Sequence, residues 1–201
     1  MSREVIAILR GVKPDEVVGI CAEILEAGID RIEVPLNSPQ PFDSIAMIAK
    51  EFGDRALIGA GTVLTPENVQ RVKDAGGELI VSPDACVPVI EKTKELGMQS
   101  FPGVVTPTEA FSALRAGADG LKIFPGDLLG IAGLKALRAV LPPETPVYAV
   151  GGAGPENFAD WAAAGATGFG IGSGIYKAGM TAAEVRVKAD AIVAAYDKVM
   201  G

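Results

Sequence analysis

One phrase recurs five times along the chain and limits the folds open to it: a helical run, a small residue with a glycine, then a short apolar stretch. It reads EAGIDRIEVPL, DAGGELIVSP, ELGMQSFPGV, RAGADGLKIFP and AAGATGFGIG. Gly28, Gly76, Gly97, Gly117 and Gly165 fall where the residue after a helix needs a positive φ, which glycine adopts without steric cost. The apolar runs behind them are short enough to be strands buried on both faces. Helix starts carry marks of their own. Pro14-Asp15-Glu16, Pro66-Glu67-Asn68, Thr106-Pro107-Thr108-Glu109 and Pro155-Glu156-Asn157 put proline and acidic residues where a first turn has free N–H groups and a positive dipole end.

Laid end to end, these marks predict strands near 5–9, 30–35, 57–60, 78–82, 98–102, 120–124, 147–150 and 168–172. They predict helices near 14–27, 40–52, 66–75, 86–96, 106–116, 131–140, 155–164 and 181–199. Eight strand–helix units with short connections point to an α/β fold, a closed (β/α)8 TIM barrel, with an open doubly wound sheet as the alternative. The 201 residues are expected to form one domain, 1–201, with no linker or low-complexity tract.

Composition then removes whole classes of chemistry. The chain has no histidine, so histidine bases, Ser-His-Asp triads and histidine-bound zinc are excluded. Cys21 and Cys86 stand alone without metal or redox spacing and are expected as buried reduced thiols of a cytoplasmic protein. A net charge of −7 offers no footprint for nucleic acid and argues mainly for solubility. No signal peptide and no apolar run long enough to span a membrane is seen, so neither nucleic acid nor membrane is an expected partner.

In a barrel of this kind chemistry sits at the C-terminal strand ends. The polar residues there are Arg10, Glu33, Asn37-Ser38, Thr62, Ser82, Thr106, Lys122, Gly151-Gly152 and Gly172-Ser173. Of ten lysines, only Lys122 lies within a strand, flanked by Leu121, Ile123 and Phe124. A buried ammonium responds by lowering its pKa, and a neutral lysine is a nucleophile toward ketones. A structural lysine paired with a carboxylate fits the spacing equally well. Glu33, between Ile32 and Val34, is either that ion partner or the proton carrier, and the two roles are compatible. Alternation does not settle which way Tyr148 points. The turns AVGGAGPEN and GFGIGSGIY after strands seven and eight suit a phosphate cup of backbone N–H groups, whereas singly each would pass as an ordinary turn.

With these residues in view, the chain resembles the 2-keto-3-deoxy-6-phosphogluconate and 2-keto-3-deoxy-6-phosphogalactonate aldolase family over nearly its whole length. The resemblance is carried by IAILRG at 6–11, AGIDRIEVPLNSP at 27–39, LIGAGTVLTPENV at 57–69, LIVSP at 79–83, FPGVVTPTEAFSALRAGADGLKIFP at 101–125 and AVGGAGPENF at 149–158. It implies a cofactor-free, metal-independent class I aldolase, a carbon–carbon lyase acting on a phosphorylated 2-keto-3-deoxy sugar acid to give pyruvate and glyceraldehyde 3-phosphate. Lys122 matches the family's Schiff-base lysine and Glu33 its acid–base glutamate. Arg10 and Thr62 match the pocket for the pyruvyl half, Pro83 and Phe124 its walls, and Gly151, Gly152, Gly172 and Ser173 the phosphate site. The resemblance also implies a homotrimer.

Two departures divide the family. Where gluconate-type members read EVTLRT, this chain has Glu33-Val34-Pro35-Leu36-Asn37-Ser38, and where they carry threonine it has Val150. Both match the galactonate-type pattern, so the galactonate epimer is the expected substrate and a gluconate or hydroxyketoglutarate aldolase the alternative. A phosphosugar isomerase on this fold often needs histidine or a metal cluster. A non-catalytic phosphosugar-binding barrel would have no use for Lys122 with Glu33.

Overall fold

The computed structural model describes residues 3–201. Nine parallel strands run in the order β5-β4-β3-β2-β1-β9-β8-β7-β6. They are β1 Val5–Ile8, β2 Arg31–Pro35, β3 Leu57–Gly61, β4 Leu79–Val81, β5 Gln99–Phe101, β6 Gly103–Val104, β7 Leu121–Ile123, β8 Val147–Val150 and β9 Gly168–Ile171. The two ends of this order, β5 and β6, are neighbours in sequence, separated by Pro102 alone. Proline has no N–H for the ladder, so one barrel strand is divided into a half that pairs with β4 and a half that pairs with β7. Its carbonyl still accepts from the Lys122 N–H at 2.9 Å. The expected strand 98–102 is corrected in this way, and the sheet is a (β/α)8 barrel of eight strand positions.

The helices are α1 Pro14–Ala27, α2 Pro41–Phe52, α3 Pro66–Asp74, α4 Val87–Glu95, α5 Pro107–Arg115, α6 Gly126–Arg138, α7 Phe158–Ala163 and α8 Ala182–Met200. Prolines open α1, α3 and α5 as expected, and Pro41 opens α2 in the same way. The repeat glycines do what their places require: Gly28 has φ 98 and its N–H returns to the carbonyls of Ile24 and Leu25, and the other four are also at positive φ. Two helix starts differ from expectation. Helix α6 begins at Gly126, with a break at Gly130 (φ 69, ψ 172) where the helix was expected to begin at about 131. Helix α7 starts at Phe158, because the Asn157 N–H and side chain both bond back to Gly154 and leave Pro155 in a turn.

Two apolar cores follow from the period-two pattern of the strands. Val5, Ala7, Ile32, Val34, Leu121, Ile123, Val147 and Ala149 face the helices in the outer core. The residues between them face inward, where Ile6, Ile8, Leu79, Val81, Phe101, Tyr148 and Val150 fill the barrel. This alternation turns Glu33 and Lys122 into the barrel. It turns Tyr148 inward as well, and its ring meets Phe101 edge-on at 5.1 Å between centroids. The Tyr148 hydroxyl lies at the N-terminal mouth with Arg31 and Glu4, on the face associated with stability. Cys21 is buried as expected, whereas Cys86 is only half-buried because it caps the start of α4; both are free thiols. Among the described residues, no helix is long and apolar enough to cross a membrane.

Candidate active site

The strand register brings Glu33 and Lys122 into the interior from opposite parts of the sheet: Glu33 on β2 is level with Ile8 and Gly59, and Lys122 on β7 is level with Gly103 and Tyr148. Both are nearly inaccessible, at 1% and 6% exposure, which is rare for charged side chains and demands compensation. Little is provided. Among the described residues no ion pair within 4.0 Å joins the two, and Glu33 Oε2 has no hydrogen-bond partner. Lys122 Nζ lies 4.4 Å from the centroid of the Phe124 ring. The fixed ion pair that the spacing left open is therefore not what these side chains form.

The electrostatic result is a pair whose charged forms are both disfavoured. Burial pushes the Glu33 carboxyl up to about 7, against the opposing influence of Lys122 and Arg10. Burial also lowers the Lys122 amine, with Glu33 opposing and Arg10 reinforcing the shift. A lysine that sheds its proton more readily beside a carboxyl titrating near neutrality can add to a ketone and pass protons in both directions.

Gly61 makes room for this arrangement. A Cβ there would stand 1.8 Å from Glu33 Oε2, so no larger residue admits the carboxylate in this position. The next residue, Thr62, has φ 56, a left-handed backbone that a β-branched side chain rarely takes. Such strain collects at functional sites. The GAG run in β3 carried the signal, since glycine inside a strand marks a close approach.

Above Lys122 lies a cavity of about 170 Å³ at the C-terminal mouth. It gathers eight of the expected residues: Arg10, Lys122, Phe124, Val150, Gly151, Gly152, Gly172 and Ser173. Ile8, Ala153, Gly170 and Gly174 complete its wall; the last three belong to the two glycine turns, and Ile8 was not among the expected residues. Glu33 borders a void of about 10 Å³ that shares Ile8, Lys122, Val150 and Gly170 with the cavity. Thr62 and Pro83 stand at the ends of β3 and β4 without lining the cavity, and Asn37 meets it through Arg10, whose Nη1 donates to Asn37 Oδ1 at 2.8 Å. A larger hollow of about 480 Å³ opens at the opposite mouth, around Glu4, Arg31 and Tyr148. It contains no lysine, so the smaller cavity is the one equipped for amine chemistry.

The rim is formed by two glycine turns with backbone groups open toward the cavity mouth. Gly151 and Gly152 follow β8 at φ 91 and 72, and the Asn157 amide donates to the Gly152 carbonyl at 2.7 Å, which holds the turn. After β9 the Gly172 carbonyl accepts from the N–H groups of Ile175 and Tyr176, both at 3.0 Å. Ser173 and Gly174 head that single turn, so their own N–H groups have no partner within it. Among the described residues no group of three or more His, Cys, Asp or Glu is placed to hold a metal ion.

Known proteins share this plan. The family described as "Aldolase: KDPG and KHG aldolase" matches residues 1–191. A protein of Rhizobium meliloti (strain 1021) named "Probable 2-dehydro-3-deoxy-6-phosphogalactonate aldolase" is 52% identical over 201 residues, covering 100% of this chain and 95% of its own length. The "2-dehydro-3-deoxy-6-phosphogalactonate aldolase" of Escherichia coli (strain K12) is 49% identical, over 95% of this chain and 93% of its own. A solved structure described as "Native KDPGal structure" superimposes with a TM-score of 0.97 at 47% identity, covering 99% of this chain and 97% of that one. Fold and likeness together define a metal-independent class I aldolase, a carbon–carbon lyase on a (β/α)8 barrel. The chain belongs to the KDPG and KHG aldolase family.

Proposed function

We propose that the chain cleaves 2-dehydro-3-deoxy-6-phosphogalactonate to pyruvate and glyceraldehyde 3-phosphate, with Lys122 as the Schiff-base lysine. The observation that carries this reading is Lys122 itself, a desolvated amine opening into a cavity that also holds Arg10 and the two glycine turns. Neutral Lys122 attacks carbon 2, and loss of water from the carbinolamine gives an iminium. Removal of the proton from the carbon-4 hydroxyl then sends the electrons of the bond between carbons 3 and 4 into the iminium. Glyceraldehyde 3-phosphate departs and an enamine remains. Carbon 3 is reprotonated, and hydrolysis returns Lys122 and releases pyruvate. Glu33, titrating near neutrality, supplies and collects these protons, through a water where it does not reach directly.

Arg10 serves the pyruvyl carboxylate, and Thr62, Pro83 and Phe124 frame that half of the substrate. Gly151, Gly152, Gly172 and Ser173 hold the phosphate through backbone N–H groups, and this remote binding orients the scissile bond. The choice of epimer is supported by Asn37, by Val150 and by the names of the relatives. Val150 is 7% exposed and borders both the cavity and the void beside Glu33, where a threonine hydroxyl would offer a hydrogen bond to a substrate hydroxyl. Turnover of the two epimeric phosphorylated acids tests the assignment. The galactonate form is expected to have the higher kcat/KM, and Val150→Thr is expected to move the ratio toward the gluconate form by roughly tenfold. A preference for the gluconate form in the unaltered chain would favour the gluconate reading, with the same mechanism.

The working unit is taken to be a homotrimer, and exposed apolar side chains such as Leu128 at 74% and Val187 at 70% are available for contacts between copies. Native mass spectrometry should return three chain masses; a single mass would set this aside. The cytoplasm, where free thiols such as Cys21 and Cys86 stay reduced, is the expected location, which cell fractionation tests.

A further inference from the structure

Among the described residues Arg10 is the one arginine lining the site cavity, and its position is set from the neighbouring turn between β2 and α2. Asn37 Oδ1 accepts from Arg10 Nη1 at 2.8 Å, and one residue further along, Ser38 Oγ accepts from the Gly11 N–H at 2.9 Å. Ser38 is 7% exposed, and its own N–H donates to the Pro35 carbonyl at 2.9 Å, so its hydroxyl has little freedom to turn elsewhere. The same turn ends at Gln40 with φ 44, a left-handed backbone that persists only where the surroundings fix it. On the other side Gly11 has φ 87 and faces Ala178, where a Cβ at position 11 would lie 3.3 Å from the alanine methyl. Gly11 is thus held between two walls, and the exposed Arg10 side chain is tied to the first of them through Asn37.

The chemistry of the tether matters as much as its geometry. A guanidinium has five N–H donors in a planar fork, and the Asn37 bond leaves at least one edge available to a carboxylate. Among the described residues no carboxylate lies within 4.0 Å of Arg10, so its charge is not neutralised. An amide oxygen orients the fork without cancelling that charge. An aspartate in its place would orient and neutralise it together.

We propose that Asn37 and Ser38 are positioning residues for the carboxylate clamp: they act on the substrate through Arg10, and Asn37 does so because it is neutral. The inference rests on the reading of Arg10 as the donor to the pyruvyl carboxylate. It assigns Asn37 to the clamp and leaves Val150 to discriminate between the epimers.

The test is a double-mutant cycle read with pyruvate, which lacks the contested stereocentre. The half-saturating pyruvate concentration for borohydride trapping is measured for the unaltered chain, Asn37→Ala, Arg10→Met and the double variant. Hydroxyacetone, a ketone without a carboxylate, serves as the control. Asn37→Ala is expected to raise the pyruvate value roughly tenfold, Asn37→Asp to raise it further, and Ser38→Ala to raise it less. Adding Asn37→Ala to Arg10→Met should change nothing more, and hydroxyacetone should respond to neither Asn37→Ala nor Ser38→Ala. Additive effects in the double variant, equal shifts for hydroxyacetone, or no effect of Asn37→Ala would overturn the proposal. Absence of any adduct in the unaltered chain would instead sink the lysine reading, and the same cycle read on KM for the phosphorylated sugar acid would then decide the clamp.

Discussion

Lys122→Met is expected to lower kcat/KM by about 10⁴-fold or more while leaving the barrel folded and thermally more stable at neutral pH. The first effect follows from removing the nucleophile, for which the interior has no substitute: the other nine lysines are not in its strands. The second follows from linkage. Burial lowers the Lys122 pKa, so the folded state binds its proton less tightly than the unfolded chain does. Its contribution is favourable above the unfolded pKa and is lost as pH falls through the folded one, so near neutrality the lysine weakens the fold. Methionine fills much the same space without a charge to desolvate. Steady-state rates with thermal melts check both halves. Retained turnover, or a melting temperature that falls, would contradict the account.

The second large effect is expected at Glu33, and it depends on pH. The Glu33 carboxyl sits at about 7 in the folded chain against an ordinary value of 4.5. A raised carboxyl stabilises the fold most where it is protonated, below the ordinary value, and that contribution is lost as pH rises toward 7. Glu33→Gln does not titrate. Relative to the unaltered chain the variant should therefore gain stability across this window, reaching roughly 3 kcal/mol at pH 8 and about zero at pH 4. Its turnover should fall by about 10²- to 10⁴-fold, and the limb of the kcat profile near neutrality should disappear. Denaturant melts at several pH values read the first effect directly. A stability difference that is the same at pH 4 and pH 8 would mean that the carboxyl is not desolvated as described.

Much of this was legible in the sequence, for identifiable reasons. The phrase ending in glycine placed strands and helices because each glycine had to leave a helix at positive φ. Lys122 and Glu33 stood out because a single charge in an apolar strand has few harmless explanations. Other features were hidden by the same physics. Strands of a parallel barrel are buried on both faces, so Val147, Tyr148, Ala149 and Val150 carry no polar alternation to say which side is which. The direction of Tyr148 became clear only from its partners Arg31 and Glu4 at the far mouth. Pro102 read as the end of a strand, when it divides one barrel position into two ladders. Pro155 read as a helix start, but Asn157 closes a turn ahead of α7. Asn37 pointed to substrate by resemblance, whereas its bonded partner is Arg10, a contact between two successive turns that spacing along the chain does not encode.

Whether Lys122 forms the Schiff base can be read without dependence on the sugar. The chain is reduced with borohydride in the presence of pyruvate, weighed intact, and then digested and mapped. One reduced pyruvate adduct per chain is expected, on the peptide that carries Lys122, and none on Lys122→Met. An unmodified chain, or an adduct on any of the other nine lysines, would contradict it.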